Sequence, residues 1–117
     1  MSARRRAQVG SIIREELSGI LQREMKDPRL GFVSVLRVEL SPDMSFARVY
    51  VSVYGSQEEQ QKTMEALEHA SGFIRRQLAP RLTLRTIPRL RFILDRSMEH
   101  AENISRILAQ IEQEEKS

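Results

Sequence analysis

Apolar residues recur at three- and four-residue spacing along the first part of the chain, which is typical of one face of a helix. The stripe consists of Val9, Ile12, Ile13, Leu17, Ile20, Leu21 and Met25. It predicts a first helix over about residues 5–25. Asp27-Pro28 should end this helix, because the residue before a proline is pushed out of the α region. Gly31 then completes the turn.

The pattern next changes to a period of two, which is typical of strands that place one face on a core. In the first segment Leu36, Val38 and Leu40 alternate with Arg37 and Glu39. The apolar positions of the second segment are Ala47, Val49, Val51 and Val53. The connector over residues 41–45 contains Pro, Asp and Ser, as a turn requires, so the sequence predicts a β-hairpin.

A helical pattern resumes at the capping-box sequence Ser56–Glu59, where we expect a helix to begin. The small residues Ala70-Ser71-Gly72 break this pattern, and a second short helix is predicted around Ile74 and Leu78. Pro80 should end or bend the second helix, because a proline in a helix interior costs roughly 3 kcal/mol. The sequence therefore predicts a pair of helices with a kink between them.

A third strand and a last helix complete the prediction. The strand covers about Arg89–Leu94, with Leu90, Phe92 and Leu94 on one face. Ser97 can cap the last helix. The stripe of that helix is Ala101, Ile104, Leu108 and Ile111. The order α-β-β-α-(kink)-α-β with a C-terminal helix makes one α+β domain over residues 1–117, with a core of about 5–112 and a polar tail at 113–117 that should fray.

The distribution of charged residues indicates what kind of ligand the domain binds. The net charge is +3, with sixteen arginines and three lysines. Seven of the arginines lie between Arg75 and Arg96 against one acid, Asp95, whereas residues 55–69 and 97–117 are each net −3. A basic middle between acidic helices indicates one positive face. Because arginine grips phosphate with two hydrogen bonds and stacks on bases, we predict RNA or another polyanion as the ligand.

The break at Ala70-Ser71-Gly72 lies directly before Arg75 and Arg76. Glycine there can simply end one helix and let another pack at an angle. Alternatively, small residues at a helix start let an RNA backbone approach, so that free amides and the positive end of the helix dipole face a phosphate. We predict the second role. The candidate RNA-binding residues are Arg4, Arg5, Arg6, Ala70, Ser71, Gly72, Arg75, Arg76, Arg81, Arg85, Arg89 and Arg91.

Phe46, Tyr50 and Tyr54 alternate along the outer face of the second strand, like the stacking platform of an RNA-recognition motif. That fold runs β-α-β-β-α-β, whereas this chain opens with a helix and a hairpin. We therefore expect partial burial or packing at the sheet edge for these rings.

Residues that could support catalysis, a metal or a cofactor are few. Cysteine is absent, the two histidines are isolated, and the five glycines form neither a phosphate loop nor a dinucleotide-binding turn. No apolar run approaches the roughly 18–20 residues of a membrane span. We expect a cytoplasmic protein that is not an enzyme, binds no metal or cofactor and does not enter a membrane.

Several motifs, in this order, resemble the bacterial ribosome-binding factor A family over about Val9–Ile111. The motifs are Lys26–Phe32 (KDPRLGF), Val38–Asp43 (VELSPD), Ala47–Val53 (ARVYVSV), Ala70–Arg75 (ASGFIR), Leu82–Arg85 and Pro88. Pro80 departs from the family pattern, in which the helix continues.

The resemblance implies a single type II K-homology (KH) domain, in which a kink at Ala70-Ser71-Gly72 replaces the usual GxxG loop. It also implies an assembly factor that binds the small (30S) ribosomal subunit and its 16S rRNA, aids late maturation and 5′-end processing, and matters most in the cold. An assembly GTPase is associated with release, and we expect a monomer when free. The alternatives are a KH-like module in another ribosome-associated role, such as a translation or dormancy factor, and an interaction subunit whose basic face docks an acidic protein.

Overall fold

The computed structural model describes residues 2–23 and 32–116, without the side chains of 98–103 and 116. The helices and strands of these residues follow the predicted α+β order. They are α1 (Ala3–Arg23), β1 (Val33–Leu40), β2 (Phe46–Val53), α2 (Gln57–Leu78), a 3₁₀ turn (Ala79–Arg81), β3 (Arg89–Leu94) and α3 (Ser97–Lys116). The predicted turn at Asp27-Pro28 and Gly31 lies outside the described residues.

The strands form a mixed sheet in the order β1-β2-β3. β1 pairs with β2 antiparallel and β2 pairs with β3 parallel. The last residue of β1 and the first residues of β2 and β3 therefore lie at the same end of the strands. We call this the hairpin end of the sheet. The amide of Arg89 donates to the carbonyl of Ser45 at 2.9 Å and ties the start of β3 to the hairpin turn.

Helices α1 and α2 cover one face of the sheet, and the core lies between them and the strands. Its fully buried members are Ile13, Leu17, Ile20, Val49, Val51, Leu67, Ile74 and Leu78. Arg48 and Arg91 are exposed on the other face. The predicted faces of β2 and β3 are confirmed, because Val49, Val51 and Phe92 are buried.

β1 differs from its predicted alternation. Its pairing with β2 shifts between Val35 and Arg37, so Leu36 is an extra residue and does not share a face with Val38. Val35 is buried instead. The prediction for Leu36 was wrong because a β-bulge inserts a residue without changing the local hydrophobic pattern.

α1 begins close to its predicted start and buries most of its predicted stripe. Ile12, however, is 52% exposed, while Gly10 is buried. A Cβ placed on Gly10 would lie 2.6 Å from the carbonyl oxygen of Val38, so the glycine lets α1 approach β1 closely. This contact puts Gly10 near the hairpin end.

α2 is one continuous helix, so the two short helices predicted around Ala70-Ser71-Gly72 are wrong. A glycine inside a helix costs only about 1 kcal/mol relative to alanine. Core packing on both sides of it, by Leu67 and Ile74, outweighs that cost. The two ends of α2 match the sequence: Ser56 accepts a hydrogen bond from the amide of Glu59 at 3.2 Å, and α2 stops two residues before Pro80.

α3 starts at Ser97, whose amide donates to the Asp95 carboxylate at 2.8 Å. It runs to Lys116. Residues 113–116, which were predicted to fray, are therefore helical. The apolar stripe of α3 faces solvent, since Ile104, Leu108 and Ile111 are 45–58% exposed.

Candidate nucleic-acid interface

A groove of about 450 Å³ runs between the second half of α2 and the loop that leads to β3. Its lining residues are Gly72, Arg75, Arg76, Ala79, Arg85, Thr86 and Ile87. We call it the arginine groove. Residues 72, 75 and 76 share one face of α2 because they are three and four positions apart on a helix, and Ala79 follows directly after the end of α2. The fold thus brings together four of the predicted RNA-binding residues: Gly72, Arg75, Arg76 and Arg85.

Arg75 is half-buried and holds the loop against α2. Its Nε and Nη2 atoms donate to the carbonyl oxygen of Ile87, at 3.2 Å and 2.6 Å. The position of Arg75 off the Ile74/Leu78 stripe gives no sign of this contact, because the acceptor is a backbone carbonyl twelve residues further along the chain.

Arg76 and Arg85 are exposed and reach the groove from opposite walls. The Nη1 atom of Arg76 lies 3.6 Å from the position that a Cβ on Gly72 would occupy. The bare backbone at Gly72 therefore leaves space beside the Arg76 guanidinium, where a phosphate oxygen could approach. Arg81 is half-buried on the 3₁₀ turn and lies outside the groove lining.

The helix dipole at the groove has the opposite sign to the one we predicted. Arg75 and Arg76 lie in the last turn of α2 and not after a new helix start. Cations are favourable there, because the C-terminal end of a helix carries partial negative charge. Ala70-Ser71-Gly72 also lies within a helix and offers no row of free amides. The groove can hold an anion through its guanidinium groups alone.

Arg4, Arg5 and Arg6 occupy the first turns of α1, ahead of Gly10 and the hairpin end. Arg4 and Arg5 are exposed and Arg6 is half-buried. The first turn of α1 contains no acidic residue. Three cations at the positive end of a helix dipole are unfavourable, and a bound anion would relieve that cost. This dipole argument for a bound anion therefore holds at the start of α1 and not at Arg75 and Arg76.

Arg89 and Arg91 are exposed on the outer face of the sheet, away from the arginine groove. Arg89 pairs across the sheet with Phe46, and Arg91 pairs with Arg48. The sheet thus divides the predicted band of arginines into two surfaces. The strand alternation already placed Arg89, Arg91 and Arg48 away from the core, but it gave no sign that β3 lies beside β2 with Arg91 opposite Arg48.

The aromatic row on β2 is divided as well. The guanidinium of Arg37 stacks on the Tyr50 ring at 3.8 Å from its centre. Arg37 also donates to Asp95 at 3.0 Å. The pKa of Asp95 is lowered, mainly by hydrogen bonds from Ser97 and to a smaller extent by the one from Arg37. Phe46 is 50% exposed and Tyr54 is 83% exposed. The expectation of partial burial was correct for Tyr50, and Phe46 is half covered, but it was wrong for Tyr54.

Other features of the described residues offer less chemistry. A larger cleft of about 680 Å³ lies at the opposite end of the sheet and is lined by the acids Glu59 and Asp95 and by no basic residue. Among the described residues, no three His, Asp or Glu side chains cluster as metal ligands would. A search of the same residues finds no helix with the length and apolar character to cross a membrane.

This topology, with α1 and α2 on one face of a mixed sheet, defines a KH-like α+β domain. The chain belongs to the ribosome-binding factor A family, whose model matches residues 5–108. Ribosome-binding factor A of Thermomicrobium roseum is 57% identical over 97% of this chain and 88% of its own length. The protein of the same name from Halothermothrix orenii is 42% identical over 100% of this chain and 96% of its own length.

Solved structures of the family share this architecture. The crystal structure of ribosome-binding factor A from Thermus thermophilus aligns with a TM-score of 0.69 and 31% identity, covering 76% of this chain and 93% of that one. A homology model of the Thermus thermophilus protein, fitted into a cryo-EM map of a 30S–RbfA complex, aligns with a TM-score of 0.65 and 32% identity over 78% of this chain and 96% of that one.

Proposed function

We propose that this chain is a ribosome assembly factor that binds the small ribosomal subunit and contacts its 16S rRNA through the arginine groove. The observation that carries the proposal is the convergence of Arg76 and Arg85 beside Gly72 in a groove whose lining contains no acidic residue. The relative fitted into a 30S complex supports the small subunit as the partner.

The groove suits a phosphate backbone in three respects. Arg76 and Arg85 offer planar donor groups that can each bind two phosphate oxygens. Gly72 lets the backbone approach, since it carries no side chain. Arg75 keeps the loop that bears Arg85 in place through Ile87. Arg75 is therefore a positioning residue first, with its remaining N–H groups available to RNA.

The first turns of α1 provide a further contact in this proposal. We assign an RNA contact to Arg4, Arg5 and Arg6 because their charges are repelled by the positive end of the helix dipole. A bound anion would offset that repulsion. Arg81 extends the basic surface along the 3₁₀ turn. Such phosphate contacts position RNA without reading its sequence, so the choice of site depends on the shape of the subunit.

The biological role follows from holding RNA without reacting with it. By binding a late precursor, the protein would favour the mature arrangement near the 5′ end of 16S rRNA and so aid processing by other enzymes. Misfolded RNA escapes slowly in the cold, so the factor matters most at low temperature. In this proposal the free protein is a cytoplasmic monomer, and an assembly GTPase promotes its release.

Sucrose-gradient fractionation of a bacterial extract tests this role. We expect the tagged chain with free small subunits and their precursors, and not with translating ribosomes. A strain that lacks the protein should accumulate 16S rRNA with an unprocessed 5′ end, most strongly in the cold. An even distribution over all ribosomal fractions, with normal rRNA ends, would contradict the proposal and favour another ribosome-associated role.

A further inference from the structure

A second basic surface lies on the outer face of the sheet. It consists of Phe46, Arg48, Arg89 and Arg91, which we call the open-face patch. Phe46 lies opposite Arg89, and Arg48 lies opposite Arg91. All four side chains are exposed. Because neighbouring strands are about 4.8 Å apart, the four form one continuous surface.

The three arginines of the patch lack a neutralising partner within the described parts of the chain. None of them forms an ion pair with a described carboxylate. Glu39 is the β1 partner of Arg48, but its carboxylate binds Arg37 and accepts from the Tyr50 hydroxyl, each at 3.3 Å. The patch therefore concentrates positive charge that a polyanion would neutralise.

The acidic helix α3 does not cover the patch. Asp95, just beyond the end of β3, binds both Arg37 and the amide of Ser97. These two bonds fix the start of α3 at the end of β3 opposite to Arg89. The four side chains of the patch are exposed with α3 in place, so the open-face patch is accessible to a ligand.

We infer that the open-face patch is a second RNA site, which takes a single strand that continues from the arginine groove. Arg48, Arg89 and Arg91 would bind phosphates, and an unpaired base would stack on Phe46. An exposed ring among arginines is the arrangement by which proteins bind single-stranded RNA. Stacking on a side chain needs a base that is free of its helix, which excludes a regular duplex.

The two surfaces are close enough for one strand. Arg85 in the groove and Arg89 in the patch are four residues apart, so their Cα atoms are separated by at most about 14 Å. β3 is an edge strand, and a strand of RNA can pass around it from one surface to the other. This inference rests on the proposed function, because both surfaces require RNA as the partner.

A triple variant, Arg48→Thr/Arg89→Thr/Arg91→Thr, tests the patch. Threonine favours strands, and unchanged thermal unfolding would show that the fold is kept. The probe is a labelled oligouridylate of about 12 nucleotides, long enough to span both surfaces. We expect affinity to fall by about tenfold or more and the salt slope to decrease by about 2, since each lost single-strand phosphate contact removes about 0.7.

A matched control removes the same charge elsewhere: Arg14→Gln/Lys62→Gln/Arg106→Gln. All three side chains are exposed on helices, and glutamine is a good helix former. This variant should bind oligouridylate much as the parent does. A loss equal to that of the triple variant would show that net charge alone governs binding, and would overturn the inference.

Phe46→Leu tests stacking separately from charge. The change keeps an apolar side chain but removes the aromatic ring, so affinity for oligouridylate should fall by about tenfold. Affinity for inorganic polyphosphate, which has no bases, should stay the same. An equal effect on the two ligands, or none on oligouridylate, would contradict the stacking of a base on Phe46.

The remaining outcomes separate this inference from the proposed function. If Arg76→Glu/Arg85→Glu weakens RNA binding and the triple variant does not, the second site is disproved and the proposed function stands. If the parent binds small subunits but not oligouridylate, the second site alone is again disproved. If the triple variant loses subunit binding or self-association while it keeps oligouridylate binding, the patch docks a protein and the inference is wrong. A parent that binds neither RNA nor subunits would contradict both proposals.

Discussion

Arg75 and Arg76 are adjacent in the chain but differ in what they bind. Arg75 is half-buried and holds the carbonyl of Ile87, whereas Arg76 is exposed at the groove. A sequence shows both as cations after a glycine. The difference depends on a loop twelve residues away that folds back onto α2, which no local pattern encodes.

Replacing these two arginines by methionine separates their roles. Arg75→Met removes two hydrogen bonds to Ile87 and should lower the free energy of unfolding by about 1.5 kcal/mol. Arg76→Met, the matched control, should change it by less than about 0.5 kcal/mol. Urea unfolding of the two variants measures this. Equal stability of both variants would show that the Arg75 bond does not hold the loop.

Replacing Gly72 and Gly10 by alanine should change the stability of the protein in opposite directions. A Cβ on Gly72 meets the Arg76 side chain at an ordinary 3.6 Å, so Gly72→Ala should stabilise α2 by about 0.5–1 kcal/mol. It should still weaken RNA binding by blocking close approach.

Gly10→Ala is the control, because its Cβ would lie 2.6 Å from the backbone oxygen of Val38. It should destabilise the protein by about 1–3 kcal/mol. Thermal unfolding and RNA titration measure the two effects. Unchanged RNA affinity of Gly72→Ala would remove Gly72 from the proposed interface.

Among the elements, β2 and β3 could be predicted almost residue by residue because strict alternation fixes both the strand and its buried face. β1 could not, since its bulge at Leu36 leaves no trace in the pattern. For α2 the sequence predicted a break at Gly72 that the structure does not have. The core packing of Leu67 and Ile74 keeps the helix continuous across this glycine.

The β1–β2 turn should add pH-dependent stability. Hydrogen bonds from the hydroxyls of Ser45 and Ser41, and from the Ser45 amide, lower the pKa of Asp43 from 3.8 to about 2. Because the folded pKa is the lower one, the stabilisation is present above about pH 4 and is lost as the pH falls through about 2.

Asp43→Asn should therefore be less stable than the parent near neutral pH, and the difference should vanish towards about pH 2. Ser45→Ala, which removes one donor, should show part of this effect. Thermal unfolding over this pH range measures both. A constant difference between Asp43→Asn and the parent at every pH would contradict the role of the carboxylate.

α3 should contribute little to the stability of the domain. The side chains of residues 104–115 are exposed, so a chain that ends at residue 103 should unfold within about 0.5 kcal/mol of the full chain. Calorimetry of the two proteins is the measurement. A loss of several kcal/mol would show instead that the stripe at Ile104 and Leu108 packs on the core.

At the scale of the whole molecule, the sheet separates arginines that are close in the sequence. Arg75, Arg76 and Arg85 line the arginine groove, while Arg89 and Arg91 lie on the outer face. The density of arginine in the sequence predicted a basic ligand surface, and the family resemblance predicted the KH-like domain. Neither could show that there are two surfaces, because that depends on which face of the sheet the helices cover.

The most direct test of the central claim, that the arginine groove binds RNA on the small subunit, is charge reversal at its two exposed arginines. Arg76→Glu/Arg85→Glu leaves the Arg75 bond to Ile87 in place and should keep the fold. In co-sedimentation with purified small subunits, we expect its affinity to fall by at least about tenfold. Arg14→Glu/Lys62→Glu, which changes the net charge equally, should bind as the parent does. Parent-like binding by Arg76→Glu/Arg85→Glu would contradict the account and move the interface away from the groove.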